Sequence, residues 1–213
     1  MSGLRIKGLG EEIATLANLP WDQPLENWPE DEVLTSMRGI SRHVVRLIRS
    51  DQKRSNSQIF AVKETVPEFA NREYTLLRDL NQRTAPVVEP VAVIEGRLDK
   101  EGNELAAALV TKYLPYSLPY RVILSSAVTP TEIANMANAL ALLLVRMHLI
   151  GFWWGDCSLS NTLFRRDAND FAAYLVDAET GEFQKTLSNG QREHDLELAQ
   201  FNVAAELEDL ALA

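Results

Sequence analysis

The chain has 213 residues, with 21 Lys and Arg against 30 Asp and Glu, so its formal charge is −9; that acidity argues against general binding to nucleic acid or to an anionic membrane. At 46% hydrophobic and 24% charged residues it can bury a full core as one domain or two lobes, and disorder, collagen and coiled coil fit poorly. Cys157 is the single cysteine, which excludes an internal disulfide framework and a cysteine-rich zinc site, and His43, His148 and His194 are too scattered to form a metal site instead. A reducing, cytoplasmic setting is the simplest expectation. The N-terminus has no apolar stretch of signal-peptide length. The most apolar run, Ala139 to Val145, stops at Arg146, far short of the roughly 20 residues that span a bilayer, and reads as a buried helix.

In chain order, residues 1–37 are acidic and contain Pro and Trp, with a short helical candidate from Glu11 to Leu19 stopped by Pro20. They are expected to form an N-terminal extension. RGISRHVVRLIRS and QIFAVKE suit two strands joined by the polar turn DQKRSNS, a hairpin pattern. Pro67 opens a helix in which Phe69, Glu73, Leu76 and Leu80 share a face, so Glu73 is expected to point inward with apolar neighbours. Two further strands, Val87 to Gly96 and Leu105 to Tyr113, flank RLDKEGN, which has hairpin-loop chemistry. Thr129 as N-cap, Pro130 at N1 and Glu132 at N3 form a capping-box signature for a helix reaching Leu149, with Gly151 as its C′ residue. Two short strands and a final amphipathic helix marked by Leu196, Ala199, Val203, Leu207 and Leu210 complete the pattern.

The most informative stretch is GFWWGDCSLSNTLFRRDANDFAAYLVDAETGE. Asp156 precedes Asn161 by five positions, and a β-like segment ends in Asp177. This resembles the catalytic loop and metal-binding loop of the protein-kinase-like superfamily, H-R-D-x-x-x-x-N and D-F-G. Phosphoryl transfer needs a carboxylate that orients the attacking hydroxyl and hard oxygen ligands that hold magnesium against the phosphates. By the resemblance Asp156 takes the first role, and Asn161 and Asp177 the second. QIFAVK resembles the superfamily's third strand: alternation puts Ile59, Ala61 and Lys63 on one face, small Ala61 leaves room for adenine, and Lys63 contacts phosphates while paired to Glu73. VTKYLPY resembles the hinge, with Lys112, Tyr113 and Leu114 offering backbone groups to the adenine edge and Thr111 at its entrance. The form Gly-Asp-Cys is most similar to the lipopolysaccharide-kinase-like and aminoglycoside-phosphotransferase-like branches.

The sequence departs from the pattern in several places. The glycine-rich loop is reduced to Gly39, with Ser41, Arg42 or His43 as substitute cover for phosphates. Trp154 stands where the catalytic-loop histidine would, a packing position. Gly155 replaces the arginine that reads a phosphorylated activation loop, so that control is not implied. Glu179 is either an extra metal ligand or a surface carboxylate. Trp153 and Trp154 read as packing residues, Cys157 as a small packed residue rather than a nucleophile, and His148 as a complement to its helix dipole. Asp195 reads as an N-cap, the alternative being the superfamily's buried aspartate that braces the catalytic loop.

The resemblance implies an α+β, two-lobe protein-kinase-like fold: an antiparallel-sheet N-lobe over residues 38–113 and a short, mainly helical C-lobe over residues 114–213. It also implies an ATP- and Mg-dependent phosphotransferase acting on a hydroxyl of a sugar, lipid-linked saccharide or other small molecule, the acceptor resting on analogy alone. The rival expectation is a pseudokinase that binds nucleotide as a sensor or scaffold; a third is an interaction domain without nucleotide. The short second lobe is read as minimal or as part of a longer protein with a downstream domain or protein partner.

Overall fold

Alternating apolar positions build an antiparallel sheet in the first part of the chain, and a capped apolar helix organises the second. The computed structural model describes residues 3–8, 10, 12–29, 33–34, 44–50, 57–125, 129–168 and 170–212. It divides into two units: one of residues 1–78 and 88–113, the other of residues 79–87 and 114–213.

The first unit holds β1 (Arg5–Gly8), α1 (Glu12–Leu16), a 3-10 turn (Leu25–Asn27), β2 (Val33–Leu34), β3 (Val45–Arg49), β4 (Ile59–Thr65), most of α2 (Pro67–Gln82), β5 (Pro90–Glu95) and β6 (Ala107–Lys112). Its six strands form one sheet in the order β1-β5-β6-β4-β3-β2, with every neighbouring pair antiparallel. Because successive side chains in a strand alternate faces, Phe60 and Val62 of β4 join Ala108 and Val110 of β6 in the core, while Ala61 and Lys63 take the other face.

Within residues 1–37, read as an N-terminal extension, β1 and residues 16–28 pack into this unit. β1 is an edge strand of its sheet, and Leu16, Trp21, Leu25 and Trp28 are buried in the same core cluster as Ile48, Phe60 and Ile94. Arg97, itself buried, pins the segment by donating to the carbonyls of Trp21 (3.1 Å) and Gln23 and to the Glu64 carboxylate (2.7 Å). A polar N-terminal stretch can thus serve as cover when a few large apolar side chains are spaced along it.

On α2 the buried face is Ala70, Glu73, Leu77 and Leu80; Glu73 and Leu80 are as expected, and Ala70 and Leu77 take the places of Phe69 and Leu76. Phe69 remains 47% exposed, while Glu73 does point inward. The strands expected over Val87–Gly96 and Leu105–Tyr113 are shorter at both ends. Val87 pairs instead with Leu175 of the second unit, to which it belongs.

The second unit contains β7 (Ser117–Pro119), α3 (Tyr120–Leu124), α4 (Pro130–Leu149), β8 (Phe152–Trp153), β9 (Thr162–Asp167), β10 (Asp170–Leu175), β11 (Glu182–Phe183) and α5 (Asn189–Ala211). The expected capping box starts α4: Glu132 N–H donates to Thr129 Oγ1 at 3.2 Å, and Thr129 N–H donates to Glu132 Oε2 at 3.1 Å. Gly151, at φ +78°, follows the helix as expected, and a Cβ there would lie 2.6 Å from the Gln184 carbonyl. β10 packs along α4 and pairs antiparallel with β9; β8 pairs with β11. α5 begins earlier than the leucine pattern indicated, at a second capping box of Ser188 and Gln191. Leu196, expected inside, is exposed. Among the described residues no helix is long and apolar enough to cross a membrane.

Candidate active site

In the first unit, β4 and α2 bring together Lys63 and Glu73, whose Nζ and Oε2 lie 3.0 Å apart. Glu73 is fully buried and Lys63 partly so, its side chain 13% exposed. Burial of such a pair is costly unless the geometry is good, so the arrangement spends core volume on holding a lysine in place. Ala61 lies on the same strand face and directly opposite Thr111 of β6. Lys112 and Tyr113 commit their backbone N–H groups to the carbonyls of Glu89 (2.8 Å) and Ile59 (2.9 Å). The Lys112 ammonium pairs with Glu89 at 2.5 Å and Glu12 at 3.5 Å, and its bond to Glu89 raises its pKa. Of the backbone groups expected to face adenine, the N–H groups of Lys112 and Tyr113 are therefore spent on the sheet. Gly39, Ser41, Arg42 and His43 lie outside the described residues.

In the second unit, the segment from Trp154 to Asn161 forms a loop between β8 and β9, turned at Gly155 with φ +75°, a conformation that costs glycine little. The Asn161 side-chain amide donates to both the carbonyl and Oδ2 of Asp156, each at 3.0 Å. Asp156 and Asn161 therefore meet, as their spacing requires. Val176 N–H donates to the Asn161 carbonyl at 3.1 Å, which brings the strand end carrying Asp177 beside the loop. Asp177 Oδ1 accepts from Glu179 N–H at 3.3 Å, and the two carboxylates come within 4.8 Å of each other.

The loop is held from α5. Asp195, fully buried, accepts from Trp154 N–H at 3.0 Å and Gly155 N–H at 2.7 Å, and its Oδ2 lies 2.8 Å from His148 Nε2. It is therefore not an N-cap, a role taken by Ser188 seven positions earlier; the alternative reading, a buried brace, is the one observed. His148, in the last turn of α4 where it was read as a complement to the helix dipole, is also buried against this carboxylate. Asn202 Nδ2 donates to Asp156 Oδ1 at 3.2 Å and to the Cys157 carbonyl at 3.1 Å. Glu206 accepts from Leu159 N–H at 2.9 Å, Ser160 N–H at 2.8 Å and the Ser160 hydroxyl. Asn202 and Glu206 were not singled out in the sequence. Their signal is the spacing from Asp195, seven and eleven positions on, which places all three on one helix face.

Trp154 is fully buried, as a packing residue should be. Burial, followed by the nearby charges of Asp195, Asp156 and Glu206, pushes the Cys157 thiol far above its ordinary range. It cannot supply a thiolate nucleophile near neutral pH.

A model of the lipopolysaccharide kinase (Kdo/WaaP) family matches residues 54–209. The chain belongs to this family. Its fold is similar to that of WaaP in a complex with acyl carrier protein, at TM-score 0.57 and 19% identity over 93% of this chain and 80% of that one. It is also similar to the Rio2 kinase of Chaetomium thermophilum, solved as an ADP/Mg2+-phosphoaspartate complex, at TM-score 0.51 and 15% identity over 79% of this chain and 55% of that one. No curated protein matches it in sequence. The two-lobe kinase-like fold is thus established, and as a Kdo/WaaP family member the protein is a kinase-like phosphotransferase.

Proposed function

We propose that the protein transfers the γ-phosphoryl group of ATP, in a magnesium-dependent reaction, to a hydroxyl of a sugar, a lipid-linked saccharide or another small molecule. The observation that carries this reading is the seating of Asp156: its carboxylate is bonded to the Asn161 amide at 3.0 Å on a tightly turned loop. A general base must be held in a fixed orientation to accept a hydroxyl proton. The family match supports the reaction class, and acceptor identity rests on that likeness.

The residues suit the cofactor. Asn161 spends its amide nitrogen on Asp156, so its remaining donor atom is a carbonyl oxygen; with the Asp177 carboxylate it offers the hard oxygen ligands that magnesium takes. Bound magnesium would neutralise charge developing on the phosphates. Lys63, steadied by Glu73, would supply a fixed positive charge to the α and β phosphates, and Ala61 would leave space for the base. With the Lys112 and Tyr113 donors engaged in the sheet, an N–H offered to the adenine edge would come from Leu114. Asp156 would orient the acceptor hydroxyl and take its proton.

The test is thermal unfolding with ATP plus magnesium, ATP plus chelator and no ligand, repeated on Asp177→Asn, together with ADP release by wild type and Asp156→Asn. A ligand at about 100 times its Kd adds roughly 2.7 kcal/mol, which moves Tm by several degrees. The expected result is a magnesium-dependent shift lost in Asp177→Asn, and turnover lost in Asp156→Asn with the shift retained. A shift without any turnover across a broad acceptor panel favours a nucleotide sensor; no shift at all overturns the reading.

A further inference from the structure

Asn202 lies in the middle of α5 and faces the catalytic loop, a setting that neither nucleotide binding nor metal binding accounts for. Its Nδ2 reaches Asp156 Oδ1 at 3.2 Å and the carbonyl of the next residue, Cys157, at 3.1 Å. The other Asp156 oxygen, Oδ2, receives the Asn161 amide at 3.0 Å. The two carboxylate oxygens are therefore engaged by different amides, one from the loop itself and one from a helix 46 positions away. A single donor leaves a carboxylate free to rotate about that bond; a second donor on the other oxygen removes the rotation. The Cys157 bond fixes the backbone on which Asp156 sits, so one side chain sets both the position of the residue and the plane of its carboxylate.

One turn on, Glu206 closes the other end of the loop by accepting the N–H groups of Leu159 and Ser160. Two turns before, Asp195 fixes its start through Trp154 and Gly155. Of the three, only Asn202 touches the carboxylate.

We infer that Asn202 is a positioning residue for the transfer step, holding the Asp156 carboxylate in the plane from which it accepts the acceptor's proton. This rests on the assignment of Asp156 as the base. Misplacement of a reacting group costs rate steeply, so the effect belongs in kcat and not in the KM for ATP, with which Asn202 has no assigned contact.

The experiment compares Asn202→Ala and Asn202→Asp with wild type in ADP release at saturating magnesium and varied ATP, and adds a urea-unfolding cycle with Asp156→Ala. Asn202→Ala should lower kcat about tenfold with little change in KM. Asn202→Asp keeps the volume of the side chain but removes the donor and sets a like charge against Asp156, so it should lose more than Asn202→Ala, about 100-fold. A side chain that merely filled space would give the opposite order. In the cycle, the unfolding midpoints of Asn202→Ala and Asp156→Ala should be non-additive, as expected for residues in contact. Additive midpoints, a loss confined to KM, or Asn202→Asp outperforming Asn202→Ala would each overturn the inference. If wild type releases no ADP, the phosphotransfer reading falls and the unfolding cycle alone decides whether Asn202 holds Asp156.

Discussion

Lys63 and Glu73 show how a single ion pair can burden a core. Glu73 is fully buried beside the Lys63 ammonium, and removing one partner of such a pair strands a charge in a poorly solvated place. Lys63→Met should therefore destabilise the protein by about 3 kcal/mol and also weaken the ATP-induced shift in Tm. Urea unfolding at pH 7 with and without magnesium-ATP measures both. An unchanged midpoint would mean that the pair is neutral for stability, and an unchanged shift would count against the proposed role of Lys63 toward phosphates. The inward direction of Glu73 was legible because a glutamate fell within an apolar helical period. The residues flanking it were less so: a shift of one position exchanges Phe69 for Ala70, and a large aromatic side chain biased the choice toward the wrong one.

Among the elements, α4 and α5 mark the reach and the limit of pattern reading. The start of α4 was legible to the residue because Thr129, Pro130 and Glu132 each have a local, mechanical reason to be where they are. Thr129→Ala removes the side-chain acceptor for Glu132 N–H and should lower stability by about 1 kcal/mol, read as a lower urea midpoint with unchanged denaturant sensitivity. α5 obeys a different logic. Its most deeply buried residue is Asp195, and the residues that matter most on its inner face are carboxylates and an amide. A search for leucines at helical spacing finds the helix and misses what its inner face holds, because the partners of those polar groups lie in a loop some 40 residues earlier: backbone N–H groups for the carboxylates, and a carboxylate and a carbonyl for the amide. Loop residues that need such partners carry no periodic signal of their own. That Asp156 and Asn161 meet was legible from spacing; the scaffold behind them was not.

At the scale of the whole chain, the acidic balance conceals a local reversal at the sheet edge. Glu95 of β5 is buried beside Lys7 of β1 at 2.8 Å and Arg5 at 3.5 Å, and the hydrogen bond from Lys7 holds its pKa below the ordinary glutamate value of 4.5. A depressed folded-state pKa stabilises the native state above the unfolded value, and that stabilisation is lost as pH falls through the folded one. The protein should thus lose stability below about pH 4.5, and Lys7→Met should shrink the difference between urea midpoints at pH 7 and pH 3.5. The N-terminal residues were hard to place because their attachment is made by edge pairing and by Arg97, neither of which leaves a periodic trace. The order of the parts along the chain has one more result, set by translation. Asp156 leaves the ribosome well before Asn202 and Glu206, and at roughly 5–20 residues per second the interval is several seconds. Throughout that interval a nascent chain has the loop but not the helix whose side chains hold it, so the bonds from Asp195, Asn202 and Glu206 to the loop can form only after the loop itself has been made.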